Sequence, residues 1–182
     1  MAQPVFAGAI LVDALFKPAI LSLASYWTDP PKPSPQVENR TTDLALDKNG
    51  ATATSDSEYA KEPGCAGKVI DGVFATPEEF SDRWHSSLKT PHPDWIEVHL
   101  AKPAKISHVV IHFADPADFA VSFEGTMRTN GHQRRVVTGN REPQIYRTKI
   151  APVTTDAFRL TIYESADKSF PNAAQLSEIE LY

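Results

Sequence analysis

The sequence predicts an all-β domain, an antiparallel β-sandwich of jelly-roll type. Three observations carry this reading. Short runs that alternate apolar and polar residues recur from Thr42 to the end, and turn clusters rather than helices separate them. Proline is plentiful at 15 and glycine sparse at 8, which favours rigid turns and strand edges over flexible linkers. The run WIEVHLAKPAKISHVVIHF (Trp95–Phe113) reads as two strands joined by a short polar connection, and SEIELY (Ser177–Tyr182) as a strand ending on the last residue. Together they suggest a sandwich whose first and last parts meet.

The N-terminal residues 1–27 stand apart. Residues 5–25 are the most apolar stretch, but Asp13, Lys17 and Pro18 interrupt it. A membrane span needs roughly 20 apolar residues without interior charge, so no span is expected. No basic region precedes Val5, which argues against a secretory leader. Ile10, Leu11, Ala14 and Leu15 fit one face of a short helix that Pro18 ends. Residues 28–41, TDPPKPSPQVENRT, carry four prolines and read as a stiff, extended linker. The sandwich should then occupy residues 42–182.

Within it, the expected strands are Trp95–Leu100, Ile106–Phe113, Phe119–Phe123, Arg135–Thr138, Ile145–Ile150, Ala157–Tyr163 and Leu176–Tyr182. Ala157–Tyr163 places Phe158, Leu160 and Ile162 on one face and Arg159, Thr161 and Tyr163 on the other. One helical turn is expected at Pro77–Phe80, with Thr76 as its N-cap and Pro77 at the first helical position.

Composition excludes several functions. At 182 residues the chain can hold one well-cored domain plus an appendage. Its net charge is −5 and its basic residues are dispersed, with Arg134-Arg135 the only adjacent pair, so no phosphate-backbone stripe exists and no nucleic acid is expected. The single cysteine, Cys65, permits no intrachain disulfide and reads as a small buried residue. No HExxH, GxSxG, GxGxxG or P-loop pattern occurs. His108 and His112 share a strand face but lie about 13 Å apart along it, too far to share an ion. The six histidines therefore read as surface or edge residues. Glu178 and Glu180 lie about 7 Å apart on one strand face, a separation a glycosidase pair tolerates, yet exposed strand carboxylates are the commoner reading. No catalytic residue is assigned.

An ordered set of motifs then carries a resemblance. LALDKNGATATSDSEY (Leu44–Tyr59), VIDG (Val69–Gly72), DRWHS (Asp82–Ser86), WIEVHLAKPAKISHVVIHF, FRLTIYES and SEIELY follow one another. In that order they resemble the discoidin domain, or coagulation factor V/VIII type C domain. That family overlaps the galactose-binding-like carbohydrate-binding modules appended to bacterial glycosidases. The resemblance spans Thr42–Tyr182. It departs from the family at His99, where Asp is usual, at Ala101, where Gly is usual, and in a longer stretch between Gly72 and Trp84. These departures favour a bacterial-type module over a membrane binder of the coagulation type.

The resemblance implies non-catalytic binding of a glycan or oligosaccharide, a neighbouring catalytic domain, and a structural calcium. In the family an Asp-Gly loop, backbone carbonyls and a glutamate of the last strand hold that ion. Here they correspond to Asp71 and Glu178, with Asp82 as a third candidate. Calcium takes six to eight oxygen ligands, which such a cage supplies; the plain alternative is an Asp-Gly turn beside a solvated strand glutamate. Trp84 and Trp95 sit where the family places core residues. Sugar contacts are sought in the loops, at Tyr59, Phe80, His92, Arg128, Asn130, His132, Arg141, Phe170 and Asn172. An aromatic face beside a few donors and acceptors is what a sugar needs. MRTNGHQRR brings Arg128, Asn130, His132 and Arg134 close together, although its Asn-Gly also reads as a simple hairpin tip. The other function class left open is a structural or protein-interaction domain without a sugar site. A secreted or periplasmic location follows if the parent protein degrades glycans.

Overall fold

A computed structural model describes residues 42–75, 81–114, 120–140 and 144–182. The apolar segment, the linker, the Pro77–Phe80 turn, Phe80 and Arg141 lie outside the described residues. The chain divides after Asn39, and the unit Arg40–Tyr182 contains all the strands that follow.

Seven strands are described: β1 (Thr52–Ser55), β2 (Trp84–His85), β3 (Asp94–Phe113), β4 (Ala120–Thr129), β5 (His132–Asn140), β6 (Ile145–Ser165) and β7 (Gln175–Leu181). Their hydrogen-bonded order is β2-β7-β3-β6-β4-β5, with β1 added against β3, and every pairing is antiparallel. Two 3-10 turns, Asp47–Asn49 and Cys65–Ile70, complete the described regular structure.

The polar connection expected inside Trp95–Phe113 is not a break. β3 is one strand of 20 residues, and β6 likewise merges two expected strands into 21. The two pair along most of their length, from Asp94↔Ile162 to His112↔Ile145, with register shifts between His99 and Ala104 and between Ile106 and His108. The first shift falls where Pro103 removes a ladder donor, so the polar residues mark a bend. There the ribbon folds over on itself. Its Asp94–His99 half joins β1, β4 and β5 in one sheet; its Ile106–Phe113 half joins β7 and β2 in the other. Ring contacts fix the fold-back. Phe123, which pairs with Ile162, packs edge-on to Phe113 at 5.4 Å and to Tyr146 at 5.3 Å. Asp94 and Phe113, the two ends of β3, therefore return to the same end of the sandwich.

Between the sheets lies one apolar cluster. Ile96, Val98, Phe158, Leu160 and Ile162 come from one half of the ribbon, and Val109, Ile111 and Phe113 from the other, with Leu176, Ile179 and Leu181 of β7. Trp84 is fully buried among them and donates its indole N–H to the Ser57 carbonyl at 3.2 Å. Trp95 is not core. It stands half-buried on the outer face, with the Arg159 guanidinium 3.9 Å above its ring. The alternation of β3 requires this, because Ile96 and Val98 point inward.

The expected meeting of the two ends of the domain is present. Leu44 N–H donates to the Leu181 carbonyl, and Leu181 N–H to the Asp43 carboxylate, both at 2.9 Å. Asn130 (φ 52°) and Gly131 (φ 80°) form the two-residue turn between β4 and β5, so most of MRTNGHQRR is strand rather than loop.

Gly125 of β4 faces the ring of Phe158, and a Cβ there would stand 2.7 Å from two ring carbons. The ring is fully buried and cannot yield without displacing the core. Gly125→Ala should therefore destabilise the domain by about 1–3 kcal/mol in denaturant unfolding, and an unchanged midpoint would contradict this packing.

Candidate functional site

The fold-back gives the sandwich two unlike ends and divides the predicted sugar-contact residues between them. Tyr59 and Phe170 lie at the open end, where the strands of both sheets finish. Arg128, Asn130 and His132 lie at the bend, beside Pro103 and Thr154. The sequence placed all of them in one set of loops, and the structure does not bring them together.

At the bend, Arg128, Asn130, Thr154 and Asp156 line a shallow cleft of about 370 Å³. Arg128 is already engaged: its Nε and Nη2 donate to the two oxygens of Asp156 at 2.9 and 3.0 Å. That bidentate bond holds the Asp156 carboxyl below its usual range and raises Arg128. His132 is exposed, opposite Thr129 across the turn.

The open end is better organised. The loop between β6 and β7 winds around Asp167, whose Oδ1 accepts the N–H groups of Ser169 (2.7 Å) and Phe170 (2.9 Å) and whose Oδ2 accepts from Gln175 Nε2 (3.1 Å). The loop is then fastened to the end of β2, where Ser86 N–H donates to the Ala174 carbonyl at 3.0 Å and Ser86 Oγ accepts from Ala174 N–H at 2.8 Å. Phe170 is 46% exposed on this fixed support. Next to Ser86, His85 is buried, and its ring centroid lies 6.2 Å from that of Tyr59, which donates its backbone N–H to the His85 carbonyl. His85 escaped the sequence reading, although DRWHS contains it, because a lone histidine in a two-residue strand carries no spacing signal. His92 is at this end too, but its Nδ1 lies 2.6 Å from Asp94 Oδ2. Asn172 is half-buried in the same loop as Phe170.

Two expectations about the outer face of β7 are overturned. Glu178 and Glu180 are buried, not solvated, because β7 is flanked by β2 and β3 and overlaid by residues 71–75. Gly72 N–H donates to Glu178 Oε2 (3.2 Å) and Ala75 N–H to Ser177 Oγ (2.7 Å). Nor are all the histidines surface residues: His85 and His112 are buried, and His112 Nε2 lies 2.5 Å from Glu180 Oε1.

The structure brings two of the three expected calcium ligands together. Glu178 Oε1 is buried without a hydrogen-bond partner. Burial, and then the charge of Asp71, push the Glu178 carboxyl up to about 9. Asp71 lies in the loop that bonds to Glu178, its Oδ1 accepting from Val73 N–H at 2.9 Å. Asp82 meets Asp71 only through Lys68, whose Nζ is 3.4 Å from Asp82 and 3.7 Å from Asp71. Among the described residues no group of three His, Cys, Asp or Glu side chains is arranged to hold a metal.

Comparison with protein-family models gave no match, and neither did comparison with curated proteins. Solved structures do match. The family 32 carbohydrate-binding module of C. perfringens NanJ, in complex with galactose, aligns with TM-score 0.63 and 21% identity over 77% of this chain and 97% of that one. A chitosan-binding module of a Paenibacillus chitosanase/glucanase aligns with TM-score 0.63 and 23% identity over 78% and 98%. The family 32 module of Streptococcus pneumoniae EndoD gives TM-score 0.62 and 16% identity over 78% and 99%.

The chain has the fold of the family 32 carbohydrate-binding modules. Identities this low carry the backbone and not the side chains. The family 32 fold holds here with His99 paired to Glu97 at 3.4 Å. It also holds with Ala101, whose Cβ would stand 3.0 Å from one added to Gly50.

A pH dependence follows from Glu178. Its folded value of about 9 exceeds its ordinary value of 4.5, so in chelator the folded state holds this proton more tightly. Its stabilising contribution is complete below the ordinary value and is lost as pH rises toward the folded one. The melting temperature of wild type relative to Glu178→Gln should fall steadily across that window; a constant difference would refute the assignment.

Proposed function

We propose that this chain is a non-catalytic carbohydrate-binding module that is part of, or appended to, a larger glycan-active protein. The observation that carries the reading is Phe170: an exposed aromatic ring on a loop that Asp167 orders through three hydrogen bonds, at the same open end of a family 32 fold as Tyr59 and His85. An exposed ring on an ordered loop offers a flat apolar face to the C–H side of a pyranose. Structures of the same fold give precedent for the ligand class, since the NanJ module was solved with galactose and a chitosan-binding module with chitotriose. Another comes from a family 31 glycoside hydrolase. Shallow sites bind weakly, and attachment to an enzyme or repetition would supply the avidity.

Phe170→Ala should weaken binding of galactose or chitotriose about tenfold in calorimetry, with the melting temperature unchanged. Binding that survives the substitution intact would move the site elsewhere. Wild type that binds nothing on a glycan array would favour the second reading, a structural or protein-interaction domain. That reading draws support from the internal engagement of Arg128 by Asp156.

Calcium belongs to the same proposal. Asp71 and Glu178 fit it: two carboxylates share a site, one oxygen is buried without a partner, and the last strand is thereby joined to the Asp-Gly loop. The ion would add positive charge beside Glu178, which has no cation paired to it among the described residues, and clip the loop to β7. Added calcium should raise the melting temperature of wild type and of Asp82→Asn, but not of Asp71→Asn or Glu178→Gln. A response that depends on Asp82 instead would overturn the assignment.

A further inference from the structure

The outer face of the smaller sheet carries a second cleft that the open-end site does not use. Its volume is about 360 Å³. Register places its parts. Val110 pairs with Arg147 on one side and with Glu180 on the other, so these two residues flank the same position at about 10 Å, twice the strand spacing. His112, two residues further along β3, shares their face.

We propose that this cleft is a second carbohydrate subsite, for a neutral pyranose whose adjacent hydroxyls reach Arg147 and Glu180 while its C–H face lies on Phe74. The inference rests on the reading that the chain binds glycans. Phe74 is 53% exposed, yet its ring is fixed, with its centroid 4.6 Å from that of His112. Its backbone neighbours are tied down, Ala75 N–H to Ser177 Oγ and Gly72 N–H to Glu178 Oε2. Among the described residues Phe74 lies outside the core cluster, and a half-exposed ring held in this way suits a stacking platform.

The polar groups suit the same ligand. Glu180 lies at the cleft floor, oriented by His112 Nε2 at 2.5 Å and by the Tyr182 hydroxyl. A carboxylate presents about four acceptor positions, the acceptor chemistry that a sugar hydroxyl uses. Arg147 stands exposed at the rim, with no ion pair among the described residues, and its guanidinium fork donates to vicinal oxygens. Gln144 lines the rim beside it and supplies both a donor and an acceptor. Donor, acceptor and aromatic face on three sides of a pyranose-wide gap are the elements of sugar recognition. A glycan chain could then touch the module at two places, multiplying weak contacts.

The test is an amide-resolved NMR titration of the full chain with galactose, N-acetylgalactosamine and chitotriose. Backbone signals of Ala75, Ile145 and Ser177 should shift with at least one of them. Arg147→Ala should weaken that response about tenfold, the effect of losing one charged hydrogen bond. Its melting temperature and the response around Phe170 should stay as in wild type. Shifts confined to Tyr59, His85 and Phe170 overturn this subsite and leave the open-end site standing. Shifts confined to Ala75, Ile145 and Ser177 do the reverse. No shift in either set with any of the three sugars overturns both.

Discussion

The pairing of β3 with β6 is the constraint on which the rest depends. Two strands of 20 and 21 residues form a single ribbon that folds over its own apolar face. That act creates both sheets and encloses the core between them, and β1, β4, β5, β7 and β2 extend what it began. The bend needs a place where the ladder can slip, and the polar stretch Ala101–Lys105, with Pro103 in it, supplies one. It also needs core side chains that close on each other across the fold, as Phe113, Phe123 and Tyr146 do. Gly125 marks how tightly they close, since no side chain fits between it and Phe158.

The ribbon also explains why chemistry gathers where it does. Because both of its ends return to one end of the sandwich, loops from both sheets meet there, and Phe170 shares that end with the Tyr59–His85 pair. The bend collects the tight β4–β5 turn and the Arg128–Asp156 pair, which satisfy each other. On the smaller sheet the segment Asp71–Ala75 lies over β7 and converts a solvent face into a half-enclosed one. That cover is what buries Glu178 and Glu180 and pushes the Glu178 carboxyl upward. The same cover sets Phe74 beside His112.

The all-β class and most strand positions were legible in the sequence, because alternation reports directly on which residues face a core, and the meeting of the first and last parts was legible without its residues. Trp84 was legible as core from the family resemblance of DRWHS, not from alternation. What alternation cannot convey is which strands are one strand. WIEVHLAKPAKISHVVIHF contains polar residues whether its middle is a loop or a bend, and only pairing with β6 distinguishes them. The core position that the family resemblance implies for Trp95 does not hold, because its parity with Ile96 and Val98 points it outward. The division of Tyr59 and Phe170 from Arg128, Asn130 and His132 was invisible for a deeper reason: separation along the chain says nothing about which end of a folded ribbon a turn occupies. The burial of Glu178, Glu180 and His112 depends on a covering segment more than 30 positions away, with no local signature.

The contact between Leu44 and Leu181 has a mechanical consequence. The strand-bearing unit is entered and left at neighbouring points, both near the bend, while Phe170 stands at the opposite end. Tension between those points would part adjacent segments one bond at a time rather than shear the sandwich.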